Sequence, residues 1–410
     1  MPVASKLAEQ IGRSSWIRRM FEVGARLKAE RGPENVFDFT LGNPDLEPPP
    51  ALIEALARVA VTEQQGIHAY MPNAGYPHVR AEIARRLRER SGIPYEGDHV
   101  VMTVGAAGAL NVVLKALLDP GDEVILLVPY FAEYEFYVTN HGGAPVYVET
   151  DARCQIDVDA VAKAVTPRTR AMIINSPNNP SGVVYPAALL AALGERIKEV
   201  RPELVVIVDE PYRALAFSGV EVPHVPQLIP RTIVASSWSK ELAIPGERIG
   251  FLAIPPSLPE AAELCGACIF ANRILGYVNA PALWQRAIVA AGPVQVDPAI
   301  YQERCTRTHA ALTAMGYDAI RPEGGFYLFV RTPCEDLAFV AALQEEGILA
   351  VPGRGFGRPG WMRLSLTVPM ATIERSFAGF ERALGRARAG GIVPSAPEPV
   401  RGLTAGGPRP

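Results

Sequence analysis

Histidine is scarce in this chain, six among 410 residues, and the six do not cluster at metal-ligand spacing, so no imidazole metal centre is indicated. Cysteine is equally sparse: five residues, an odd number without the spacing of a disulfide framework. Cys265 and Cys268 form a Cys-x-x-Cys pair, but no second ligand pair accompanies them. Inside the apolar run from Ala261 to Phe270 their i, i+3 spacing predicts one buried helix face rather than a redox or zinc site. Charge of one sign is also lacking. Forty basic side chains against 43 acidic ones leave a net charge of -3, which gives no electrostatic reason to bind nucleic acid or an anionic membrane. No uncharged apolar stretch approaches the roughly 18–20 residues that cross a bilayer. The segment Met1 to Lys28 carries charges every few residues and has no signal-peptide block. There is no internal repeat. These absences predict a cytoplasmic globular protein.

What is present is an α/β pattern. At 49% hydrophobic and 20% charged residues, the chain has ample core for two or three domains. Short β-branched runs (Val100–Val104, Glu123–Val128, Ala171–Asn175, Val205–Asp209, Thr232–Ser236 and Phe251–Ile254) alternate with helical spacing, as in Ala106–Leu118 and Ala187–Val200. Such alternation predicts a largely parallel sheet buried by helices on both faces, with its ligand at the carboxyl ends of the strands. After about residue 290 the pattern changes. Helices over Pro298–Met315, Asp336–Glu346 and Ala371–Leu384 and strands near Phe326–Val330 and Met362–Leu366 predict a smaller α+β domain. The domain expectation is an N-terminal segment 1–45 joining the small domain, a large domain 46–292, a small domain 293–388 and a Gly/Pro-rich disordered tail 389–410.

Four motifs fall at strand ends. Lys240 closes Ser236-Ser237-Trp238-Ser239-Lys240, with Arg248 shortly after. An amine nucleophile among hydroxyls and a fixed cation suits a Schiff base to a phosphorylated aldehyde, pyridoxal 5'-phosphate (PLP). Asp209 ends an apolar strand and begins Asp209-Glu210-Pro211-Tyr212. A carboxylate there can keep a pyridine nitrogen protonated, although a strand-end aspartate can also simply cap the next turn. Asn179, in Ser176-Pro177-Asn178-Asn179-Pro180-Ser181-Gly182, and Tyr212 are candidates for the cofactor's phenolic oxygen. Gly105, Ala106 and Ala107 open a helix after a strand, where free backbone N–H groups hold a phosphate; Ser237 and Arg248 add a hydroxyl and a cation.

Two rival motifs lack their context. Gly355-Phe356-Gly357-Arg358-Pro359-Gly360 fits a dinucleotide fingerprint, but a strand pattern follows where a helix should begin. Ser237-Trp238-Ser239-Lys240 fits the Ser-x-x-Lys of serine acyl-enzymes, yet the chain has neither Ser-Asp-Asn nor Lys-Thr-Gly.

With these residues in hand, the chain resembles the class I/II aminotransferases of PLP fold type I, the aspartate aminotransferase superfamily, over roughly residues 35 to 385. The resemblance rests on Asn179-Pro180-Ser181-Gly182, Asp209-x-x-Tyr212, Ser237-x-x-Lys240, Arg248-Ile249-Gly250 and Arg363-Leu364-Ser365, in that order and spacing. It implies a large domain with a mostly parallel seven-stranded sheet between helices, plus the smaller α+β domain. It implies that Lys240 forms the Schiff base and shuttles the proton, with Asp209 and Tyr212 as catalytic partners. Arg363 would clamp the substrate α-carboxylate, helped by Asn179 and the backbone at Gly42. Phe131 would stack on the cofactor ring. Tyr70 would reach the phosphate of the neighbouring subunit in a homodimer.

The implied activity is ping-pong transfer of an amino group between an amino acid (aspartate, alanine or similar) and a 2-oxo acid. Arg273 is a candidate for a distal carboxylate and equally a surface or interface arginine. Lyases and synthases acting at Cβ or Cγ share the constellation. A PLP-sensing regulator would carry a DNA-binding domain ahead of this fold, and the short stretch before Val36 predicts none. Ala106 and Ala107 replace the hydroxyl or amide of many relatives, and Phe131 replaces a tryptophan of some branches.

Overall fold

The computed structural model describes residues 3–13, 15–62 and 66–392; the expected tail from residue 393 onward lies outside them. Two compact units make up the chain. The larger holds residues 43–306 and 320–327, and the smaller holds 1–42, 307–319 and 328–410. These limits differ from the expected 46–292 and 293–388, because Val296, Tyr301, Phe326 and Tyr327 pack around Tyr212 and Leu215 in one apolar cluster of the larger unit.

The larger unit is organised by a seven-stranded sheet. Its strands in chain order are β1 (Val100–Thr103), β2 (Glu123–Val128), β3 (Ala144–Glu149), β4 (Thr169–Asn175), β5 (Val205–Asp209), β6 (Thr232–Ser237) and β7 (Gly250–Ala253). They lie side by side in the order β1-β7-β6-β5-β4-β2-β3. The pairs from β6 through to β3 are parallel, whereas β7 runs antiparallel to both β6 and β1. The mostly parallel sheet expected from the sequence is therefore present. Every residue of β1, β2, β5 and β7 is buried, which explains why these strands read as unbroken apolar runs rather than alternating ones. The helices Gly105–Leu117 and Ala261–Ile274 contribute to the main core, and Cys265 and Cys268 both sit in it, as their spacing predicted.

Register places the chemistry. Asn175 pairs with Asp209, and Asp209 with Ala235, so three neighbouring strands end in one row. Gly250 pairs with Ser237 on one side and Thr103 on the other. Because β7 is reversed, it starts at the edge where the others finish. The residues just ahead of it, including Arg248, are thereby delivered to the same edge as the ends of β1 and β6.

The smaller unit pairs Phe37–Asp38 with Ile348–Leu349 in parallel. A second sheet sets Trp361–Ser365 between Val351–Pro352 and Tyr327–Arg331. The helix Met370–Arg388 closes this unit through Phe380, whose ring meets Phe39 at 6.3 Å and Tyr317 at 6.1 Å. The strand Trp361–Ser365 directly follows Gly355–Gly360, so the dinucleotide motif has no helix after it.

Candidate active site

The phosphate-type turn is built by three segments meeting over β7. Helix Gly105–Leu117 begins immediately past β1, which leaves the N–H groups of Gly105, Ala106 and Ala107 in its first turn, at the positive end of the helix dipole. Gly105 has φ 77, a conformation open to glycine, and a Cβ there would come within 2.9 Å of Arg248 Nη2. Arg248 itself is held at φ 51, costly for a residue with a side chain. Its Nη1 donates to Pro245 O at 3.0 Å and its Nη2 to Val104 O at 3.4 Å, so the guanidinium lies against the start of that helix. Ser237, buried at the end of β6, lies opposite Gly250 in the ladder. A Cβ on Gly250 would stand 2.6 Å from Ser236 O and 2.7 Å from the carbonyl carbon of Gly105, closer than real atoms approach. The sequence singled out Gly105; the need for Gly250 shows only in this register.

Asp209 is buried at the end of β5. Tyr134 Oη donates to its Oδ2 at 2.5 Å, and the Asn175 side chain donates to its carbonyl oxygen at 2.9 Å. Among the described residues, Oδ1 is buried without a hydrogen-bond partner. Burial pushes the Asp209 carboxyl up to about 7; the Tyr134 hydrogen bond pulls the other way and neighbouring Glu210 adds to the rise. Tyr134 is held well above the usual phenol range by burial and then by the Asp209 charge, so it keeps its proton and acts as donor. Phe131, a turn earlier, sets its ring edge-on to Tyr134 at 5.5 Å. Tyr137 is shifted upward by burial and senses Glu133, Asp209 and Arg248, which ties both halves of the site to one helix, Glu133–Asn140.

Lys240 lies in the turn after β6, half-buried, with Nζ 5.7 Å from the centre of the Phe326 ring. Tyr212 follows β5 and its hydroxyl is 3.0 Å from that of Tyr327. Asn179 is buried, and its backbone N–H donates to Asn175 Oδ1 at 2.6 Å. Asn178 Oδ1 accepts from the Ser181 N–H and hydroxyl, which fixes the Asn-Pro-Ser-Gly turn. Asn175 thus links Asp209 to Asn179. Tyr134, Asn175 and Tyr327 carry no motif of their own, and only proximity identifies them.

Tyr70 is 91% exposed on the larger unit. Arg273 is exposed, its guanidinium 5.3 Å from the Phe270 ring centre. In the smaller unit, buried Arg363 donates from Nη2 to Thr40 O at 2.6 Å and stacks 4.8 Å over Phe356, and Gly42 belongs to the same unit.

A half-buried lysine in the turn after β6, a buried aspartate ending β5 and a glycine-lined helix start after β1 are the features an enzyme of amino-group chemistry would need. Residues 34–379 match the family described as aminotransferase class I and II, and the chain belongs to that family. It is an aminotransferase. The aspartate/prephenate aminotransferase of Thermus thermophilus is 32% identical over 368 residues, covering 88% of this chain and 94% of that one. The aspartate aminotransferase of Geobacillus stearothermophilus is likewise 32% identical, covering 85% and 91%. Among solved structures, an aminotransferase from Eubacterium rectale superposes with a TM-score of 0.91 at 36% identity, covering 94% of this chain and 99% of that one. The Thermus thermophilus aspartate aminotransferase with maleate gives 0.80 at 30% identity, covering 89% and 96%. Among the described residues no helix is long and apolar enough to cross a membrane, and no cluster of side chains could hold a metal ion.

Proposed function

We propose that this aminotransferase uses pyridoxal 5'-phosphate bound at Lys240 and takes its amino group from aspartate or a similar amino acid, with a 2-oxo acid as acceptor. The observation that carries the cofactor reading is Asp209 Oδ1: a buried carboxylate oxygen with no hydrogen-bond partner among the described residues suits a protonated ring nitrogen. When bound, pyridoxal phosphate supplies an aldehyde for the substrate nitrogen and a cationic ring that spreads the charge left when Cα loses its proton.

The chain supplies the rest. The N–H groups at Gly105, Ala106 and Ala107, the Ser237 hydroxyl and Arg248 hold the phosphate dianion. Asp209 would keep the ring nitrogen protonated, Tyr212 and Asn179 would be the donors for the phenolic oxygen, and Phe131 would be the aromatic partner of the ring. Lys240 Nζ would hold the aldehyde and would serve as the base that moves the Cα proton. Arg363, with Asn179 and the backbone at Gly42, holds the substrate α-carboxylate through a planar fork that lysine cannot reproduce. The names of the Thermus and Geobacillus relatives and the maleate of the Thermus structure support a dicarboxylic substrate.

Exposed Tyr70 supports a homodimer in which it reaches the partner's phosphate, so the protein should sediment at twice its 44.2 kDa chain mass. Five free cysteines, four of them buried, support a reducing, cytoplasmic setting.

Borohydride reduction of the cofactor-loaded protein followed by peptide mapping should label Lys240, and a panel of donors and acceptors should show aspartate turning over. A label on another lysine rejects the cofactor assignment; turnover of apolar donors in preference to aspartate rejects the substrate.

A further inference from the structure

We propose that Tyr134 is a positioning residue for Asp209, fixing the carboxylate so that one oxygen is committed to the protein and the other is reserved for the cofactor's ring nitrogen. This deepens the cofactor reading above and rests on it. A carboxylate has two oxygens and, when buried, needs donors for both. Here Tyr134 Oη donates to Oδ2 at 2.5 Å, a charge-assisted O–H···O distance, while Oδ1 is buried without a partner among the described residues. The Asn175 side-chain N–H donates to the Asp209 carbonyl oxygen, so it steadies the strand end and leaves the carboxylate to Tyr134.

The position of Tyr134 is itself well fixed. It is buried in the main core on the helix Glu133–Asn140, with the Phe131 ring against its edge, so its hydroxyl has little freedom to follow a wandering carboxylate. Charge points the same way. Burial favours the neutral carboxylic acid at 209, and the Tyr134 hydrogen bond is the interaction that favours the ionised form. A neutral acid could not hold a pyridinium. Tyr134 therefore acts on the ring only through Asp209, and its loss should be felt only by a ligand that has a ring nitrogen.

Cofactor binding to the apoprotein separates this role from general packing. Tyr134→Phe removes one oxygen and keeps the ring, and should weaken pyridoxal phosphate binding about tenfold or more, the usual effect of losing a hydrogen bond to a charged group. The analogue in which the ring nitrogen is replaced by C–H should bind wild type and variant alike, within about threefold. In an Asp209→Asn background the same tyrosine change should have no further effect on pyridoxal phosphate binding. An equal loss for both ligands would make Tyr134 a packing residue and overturn the proposal, as would unchanged binding of pyridoxal phosphate. A wild-type protein that takes up neither ligand overturns the cofactor reading together with it.

Discussion

Gly250→Ala puts one methyl group into the junction where the anion cradle is assembled. Its Cβ would sit 2.6 Å from Ser236 O, 2.7 Å from Gly105 C and 2.8 Å from Gly105 Cα, whereas ordinary contacts begin near 3.4 Å. All three opposing atoms are backbone, so no side chain can swing away. Gly250 is also laddered to both Thr103 and Ser237, which prevents β7 from yielding on one side alone. Relief requires the start of helix Gly105–Leu117 to part from the end of β6 by several tenths of an ångström, and overpacking of this kind costs about 1–3 kcal/mol. The same parting separates the N–H donors of the helix from the Ser237 hydroxyl. The apoprotein should melt a few degrees lower, and its dissociation constant for pyridoxal phosphate, measured by absorbance titration, should rise about tenfold or more. Gly246→Ala is the control, because a Cβ there meets nothing within 4 Å; it should leave both quantities near wild type. If Gly250→Ala binds and melts as wild type does, the three-segment junction is not what holds the phosphate.

Asp209 gives a pH prediction. Its folded value, pushed up to about 7, lies above the ordinary carboxyl value of 3.8, so between these values the folded apoprotein binds the proton that the unfolded chain has released. Apoprotein stability should therefore fall as pH rises from about 4 to about 7 and stay reduced above it. Half-buried Glu241, also pushed up to about 7, acts in the same direction, so the test is the difference from Asp209→Asn. Denaturant melts at pH 5 and 8 should show a smaller pH loss in the variant; equal losses would refute the assignment. Arg363→Lys keeps the charge but loses the planar fork, and should raise the KM for the amino acid roughly tenfold or more, with pyridoxal phosphate affinity unchanged. An unchanged KM would remove Arg363 from substrate binding.

β1, β2, β5 and β7 are plain in the sequence because each is buried along its whole length and so mostly apolar; β5 is legible to the residue. Edge strand β3 escapes notice for the opposite reason. It has one neighbour, only Val148 is buried along it, and Pro145 interrupts its pattern, so it offers no apolar run. The site divides along similar lines. Lys240, Asp209, Asn179 and Arg248 stand in short local motifs that betray their chemistry. Tyr134 and Asn175 act through Asp209 across gaps of 75 and 34 residues, and nothing near either in the chain advertises the partner. Gly250 is needed because of atoms in two other segments, a requirement that exists only once strands are in register.

The reversal of β7 has a consequence for how such a site tolerates change. An all-parallel sheet presents to a ligand only the residues that leave each strand, so every contact hangs on an outgoing loop. Here Arg248 arrives on an incoming loop, and the bend 245–249 lies between the lysine turn before it and the ladder after it. Lengthening that bend would shift the cation without loosening the helix or the hydroxyl, so under the proposed phosphate site its share of the grip could be adjusted independently.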